Sequence, residues 1–128
     1  MQSVQASFGN VVMTLDVADD LVATPIAGGG LRLVRRDAGQ SRRIYEITLL
    51  AAVGASPVPL DQARGTGEAA VRYGVDHFDG GSGGPEVTLI AERRCQDLPV
   101  RLRLNLQAEE GTTPDVDAVL DMLANARC

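Results

Sequence analysis

The sequence predicts an α+β fold, a mainly antiparallel β-sheet packed against a C-terminal helix, and two patterns carry that reading. Apolar residues recur at every second position through most of the chain, as half-buried strands require, with Gly, Asn and Asp turns between the runs. Near the end a single stretch switches to helical spacing: Val116, Val119, Leu120, Leu123 and Ala124 fall on one face. With 128 residues and no repeat or composition shift, residues 1–128 are expected to form a single domain.

Each element follows from its own residues. Val4, Ala6 and Phe8 alternate with polar neighbours, Gly9-Asn10 supplies a turn, and Val11, Met13, Leu15 and Val17 alternate again, which predicts an opening β-hairpin. Asp19, Asp20 and Pro25 leave residues 21–24 as a connector or half-turn of helix, and Gly28-Gly29-Gly30 is a turn. Residues 31–35 and 43–53 read as two strands. In the second, Tyr45, Ile47, Leu49, Ala51 and Val53 share a face, while Ile44, Leu50 and Ala52 make the other face apolar too, as in a central strand covered on both sides. Pro57, Pro59 and Gly65 mark residues 54–67 as a long connection or flap. A brief strand over 68–75 precedes the least regular stretch, residues 76–85. The period of two resumes at Val87, Leu89 and Ala91 and is clearest at Val100, Leu102, Leu104 and Leu106, where Arg101, Arg103 and Asn105 form a polar face expected to be solvated. For the helix, Thr112 or Thr113 can serve as N-cap, Pro114 suits the first turn, and Asp115 and Asp117 complement the helix dipole.

Composition narrows the chemistry. Twelve basic and seventeen acidic residues give a net charge of −5, which disfavours nucleic acid and anionic lipid as partners. All twelve basic residues are Arg, a choice that a codon preference explains without any functional content. One His, two Cys and no Trp leave few groups for acid-base or nucleophilic catalysis, so an enzyme is not expected. No apolar run reaches the roughly 20 residues that a membrane-spanning helix needs.

Cys95 precedes the 98–106 strand and Cys128 follows the helix. A strand of that length advances about 30 Å, a helix of some thirteen residues returns about 20 Å, and the loop at 107–113 can cover the difference. A helix lying antiparallel across the strand would therefore bring Cys128 near Cys95, the alternative being two unrelated thiols. A bridge spanning 33 residues would contribute roughly 3–4 kcal/mol in the loop-entropy model. It would also point to an oxidising compartment. The first residues contain no basic region, apolar core or A-x-A site of a leader, so a periplasmic location rests on the disulfide, with any leader taken as already removed.

Residues 76–86 hold the candidate binding groups: Asp76, His77, Phe78, Asp79, Ser82 and Glu86. The Gly-rich run does not read as a phosphate loop, because Pro85 and a strand follow it and Lys is absent. Asp76, Asp79 and Glu86 do not have EF-hand spacing. His77 lacks a partner for a metal site or nucleophilic pair, and Ser82 lacks a strand-to-helix elbow. The remaining reading is an acidic, aromatic loop held out by a rigid sheet for insertion into a partner's cleft, against a plain long hairpin turn. Arg35 and Arg36 with Arg42 and Arg43 could form a second patch, facing an acidic partner or simply discouraging edge aggregation.

The stretch Phe8-Gly9-Asn10-Val11-Val12-Met13-Thr14-Leu15-Asp16-Val17, the Arg43-Ile44-Tyr45-Glu46-Ile47 core, the Gly80 to Gly84 hairpin and the closing strand-helix pair together resemble the PsbP-like α/β sandwich. Within it, the chain is similar to small periplasmic immunity proteins of type VI secretion systems, particularly those directed against peptidoglycan muramidase effectors. The resemblance implies a non-enzymatic protein that needs no cofactor or metal of its own, binds a cognate toxin and occludes its cleft with the acidic loop. Calcium would enter only through the partner. The competing classes are a secretion chaperone or adaptor with reduced thiols and an apolar groove, and a small-ligand module in which the 54–67 flap closes over a pocket.

Overall fold

The computed structural model describes residues 1–36, 46–80, 84–109 and 111–128. Among them, the period-two segments become nine strands and the 3.6-period segment one helix. The opening hairpin is β1 (Gln2–Phe8) and β2 (Val11–Val17), with Phe8 opposite Val11 and Gly9 in the left-handed region, φ 64°, that a two-residue turn demands. The other seven are β3 (Leu21–Pro25), β4 (Leu31–Arg35), β5 (Glu46–Ala51), β6 (Gln62–Arg64), β7 (Val71–Asp79), β8 (Glu86–Cys95) and β9 (Leu98–Gln107). They form one antiparallel sheet in the order β3-β4-β5-β9-β8-β7-β6. The expected α+β architecture is what the chain adopts.

One face of this sheet is the core face. Leu31, Leu33, Ile47, Leu49, Leu89, Leu102 and Leu104 are all at most 2% exposed. They join Phe8, Met13 and Leu15 of the hairpin and Val119, Leu120 and Leu123 of the helix α1 (Val116–Ala124) in a single cluster. The hairpin and helix thus make a second layer. Its two parts are stitched by the C-terminal tail, since Arg127 pairs with Thr14 through backbone bonds of 2.7 and 2.9 Å and grips Asp16 with two more of 2.8 and 3.0 Å. Beneath the far end of the helix, the Arg64 guanidinium binds Asp121 at 2.8 and 3.1 Å.

The disulfide joins Cys95 to Cys128, with their Cα atoms 5.6 Å apart. The route to it differs from the expected one. The helix packs on β2, β6 and β7 rather than lying along β9. It is the tail, led past β2 by the Thr14–Arg127 pairing, that delivers Cys128 to the end of β8.

Four local readings are corrected. Residues 21–24 form a strand, because backbone pairing of Leu21–Pro25 with β4 outweighs the weak local signal and Pro25 is tolerated on an edge. The helix is capped by Asp115, whose carboxylate accepts from the Ala118 N–H at 3.0 Å; Thr112 instead donates to the Glu109 carbonyl at 2.7 Å, and Pro114 is buried ahead of the cap. Val53 lies beyond β5 and is 96% exposed. The 54–67 connection contains β6, and its Val58-Pro59 portion lies so close over Gly74 that a Cβ there would collide with the Pro59 carbonyl oxygen. Tyr45, Arg42 and Arg43 lie outside the described residues.

Candidate functional site

Alternation fixes what the second face of the sheet carries. With Leu89, Leu102 and Leu104 pointing into the core, Glu86, Thr88 and Ile90 of β8 and Arg101, Arg103, Asn105 and Gln107 of β9 must face the other way. Cross-strand register then builds polar rows. Thr48, Asn105, Thr88 and His77 are successive partners across β5, β9, β8 and β7, and Glu46, Gln107, Glu86 and Asp79 form the neighbouring row.

Side-chain bonds knit these rows together. The Asn105 amide donates to Glu86 Oε1 at 2.6 Å and to Thr88 Oγ1 at 3.0 Å, while Gln107 donates to the second Glu86 oxygen at 3.4 Å. Thr48 donates to Glu46 at 3.3 Å, and Arg32 pairs with the same carboxylate at 2.7 Å. Thr88 is therefore buried although it sits on the outer face. The polar face of β9 is only partly solvated as a result, because Asn105 and Arg101 are half-buried and Arg103 alone of the three is exposed.

The candidate residues are strand residues rather than members of an irregular loop. Asp76, His77, Phe78 and Asp79 belong to β7, and Glu86 opens β8 opposite Asp79. The register shifts between Val75 and His77, so the strand continues past Asp76 by absorbing one extra residue as a bulge. Asp76 lies 3.9 Å from the Arg103 guanidinium. Phe78, opposite Val87, is 62% exposed and shares the hairpin end with Val75, which is 46% exposed. Ser82 lies outside the described residues. The structure thus brings Asp76, His77, Asp79 and Glu86 onto one outer face, whereas Phe78, opposite the core residue Val87, belongs to the other face at the hairpin end. Of the second arginine patch, Arg35 approaches Glu109 at 3.9 Å and Arg36 donates to the Asp19 carbonyl at 3.5 Å.

A family model described as the type six secretion immunity 3 domain matches residues 27–127. The chain belongs to that family. The resemblance to type VI immunity proteins seen in the sequence is accordingly correct, and the Tsi3 match covers β4 to β9, the helix and the tail as far as Arg127. The β1–β2 hairpin, which covers the core, precedes the matched span. No curated protein matches the chain. In this Tsi3 domain, no group of three or more His, Cys, Asp or Glu side chains that could hold a metal occurs among the described residues.

Sequence reasoning missed Glu46, Thr48, Thr88, Asn105 and Gln107 as members of the same surface as residues 76–86. Their signal was present as the polar half of each alternating strand. Which polar halves become neighbours depends on strand order, and that is a tertiary fact.

Proposed function

We propose that this protein binds a cognate type VI secretion toxin that degrades peptidoglycan and inhibits it by filling its active cleft with the β7–β8 hairpin. The observation that carries the reading is the hairpin end itself. In a chain of the Tsi3 family, the nine-residue strand β7, paired with β8 on one side and β6 on the other, ends in an exposed Phe78 next to Asp79. An exposed aromatic of this kind gains most by desolvation in a pocket, while the acidic groups give orientation and faster encounter with a basic cleft. Asp76, His77, Phe78, Asp79, Ser82 and Glu86 are the proposed contact residues, and none of them needs to do chemistry. A calcium ion carried by the toxin could meet the same carboxylates, an element supplied by the resemblance alone.

A periplasmic site of action fits the disulfide, since reducing compartments keep such bonds open. The bridge also counts against the chaperone alternative, which called for reduced thiols. Among the described residues no helix is long and apolar enough to cross a membrane.

The test is co-expression with the product of the neighbouring gene, both directed to the periplasm. Host survival together with a complex that co-purifies supports the reading; a harmless neighbour that forms no complex removes that partner. Within a complex, Phe78→Ala and Asp79→Ala should each weaken binding at least about tenfold, the usual cost of a hot-spot truncation. Unchanged affinity in both would move the contact away from the hairpin.

A further inference from the structure

A second feature of the outer face lies beside the proposed hairpin contact and is independent of it. The chain leaving β5 passes over the sheet and roofs a recess of about 240 Å³, whose lining includes Leu50, Ala55, Pro57, Ile90, Arg101 and Arg103. Register explains the composition. Arg103 stands between Leu50 of β5 and Ile90 of β8, so its guanidinium rises from an apolar floor. Arg101, two residues earlier on the same face, is opposite Glu92.

The arginines are incompletely satisfied. Arg101 donates to the Gly54 carbonyl at 2.8 Å and to Glu92 at 3.3 Å, but its Nε–H is buried without a partner. A buried donor left unmade is costly, and native structures seldom keep one without a reason. Arg103 has the Asp76 carboxylate at 3.9 Å, beyond hydrogen-bonding distance. Two forked donors with spare N–H groups, set among Leu50, Ile90 and Pro57, match a planar anion carrying a short apolar substituent.

We propose that this recess is a binding site for a small aliphatic carboxylate, whose oxygens meet Arg101 and Arg103 while its hydrocarbon end lies against Leu50 and Ile90. The chemistry is shared by a free short-chain acid and by the C-terminal carboxylate of a polypeptide ending in an apolar residue. At about 240 Å³ the recess is below the roughly 300–1,000 Å³ of drug-sized sites and has room for a compact branched acid.

The experiment is a titration of the purified full chain, isotopically labelled at arginine Nε, with isovalerate and with its neutral isostere isovaleramide. Saturable displacement of the Arg101 and Arg103 side-chain resonances by isovalerate, at least tenfold weaker for the amide, is the expected result. Arg103→Gln, at a position 55% exposed at the side chain, and Ala55→Trp, which fills the recess from the roof, should each abolish the isovalerate response while unfolding as sharply as the parent. Equal responses to acid and amide, or a response that survives both variants, would overturn the proposal. N-acetyl-leucine then separates the sources. Binding tighter than isovalerate points to a polypeptide C-terminus, and weaker binding points to the free acid.

Discussion

At the scale of single residues, two ion pairs at the margin of the core contribute to how the protein responds to acid. The Arg127 guanidinium, with help from the Ser3 hydroxyl, holds the Asp16 carboxyl at about 2, below its ordinary 3.8. Arg64 lowers Asp121 in the same direction. A carboxylate whose folded value is depressed favours folding fully above its unfolded pKa, and that contribution disappears as pH falls through the folded value. Thermal unfolding followed from pH 5 to pH 2 should therefore show a loss below about pH 4 that is shallower in Asp16→Asn than in the parent. Identical slopes would mean that the tail pairing does not depend on that charge. Both carboxylates are half-buried and reach solvent, so added salt should diminish the difference.

At the scale of elements, capping and close approach make sharper predictions. Asp115 alone caps the helix through its side chain, so Asp115→Ala should cost about 1 kcal/mol in chemical denaturation, whereas Thr113→Ala should cost close to nothing. Gly74 admits no side chain because the crossing segment lies on it. Gly74→Ala should force residues 58 and 59 outward and destabilise the fold by about 1–3 kcal/mol, the usual range for overpacking. Unaltered stability would show that this crossing is loosely held. Element type was legible wherever alternation was strong, as in β8 and β9. It was least legible at β3, whose five residues include a proline and only one buried side chain, and at Asp76 to Asp79. There Asp and His, with Gly80 following, suggested a loop, but pairing with β8 prevailed. The β8–β9 turn also gave little local signal: Gln96 and Asp97 both adopt positive φ, 51° and 68°, without a glycine, held by the pairing of Cys95 with Leu98.

At the scale of the molecule, the two layers share one core and are tied covalently at a single place. The disulfide joins the end of the sheet to a tail that is itself paired with the hairpin layer, so cutting it frees the tail from the sheet. Cys128→Ser, or reduction, should lower stability by roughly 3–4 kcal/mol, as expected for a loop of this span. The loss should also weaken the Arg127–Asp16 pair, so the acid response of Asp16→Asn and of its parent should converge in the reduced protein. Intact mass with and without reductant, followed by denaturant unfolding of both forms, checks the first part. A loss under about 1 kcal/mol would assign the tail's position to the backbone pairing alone.

The sequence by itself determined the α+β class, the hairpin at the start and the helix at the end, because each rests on local period; the pairing of the two cysteines was expected from chain length, but the path that joins them, a tail led past β2, is tertiary. Its resemblance to type VI immunity proteins was also legible, in layout rather than in any short motif. Tertiary structure decided which polar faces became one surface. Residues 46–48, 76–79, 86–88 and 105–107 meet only because β5, β9, β8 and β7 are adjacent, and a strand's alternation states which side chains share a face but not which strand lies beside it. The arginine recess has the same origin: Leu50, Ile90 and Arg103 are distant in sequence and neighbours in register, beneath a segment whose path no local propensity specifies.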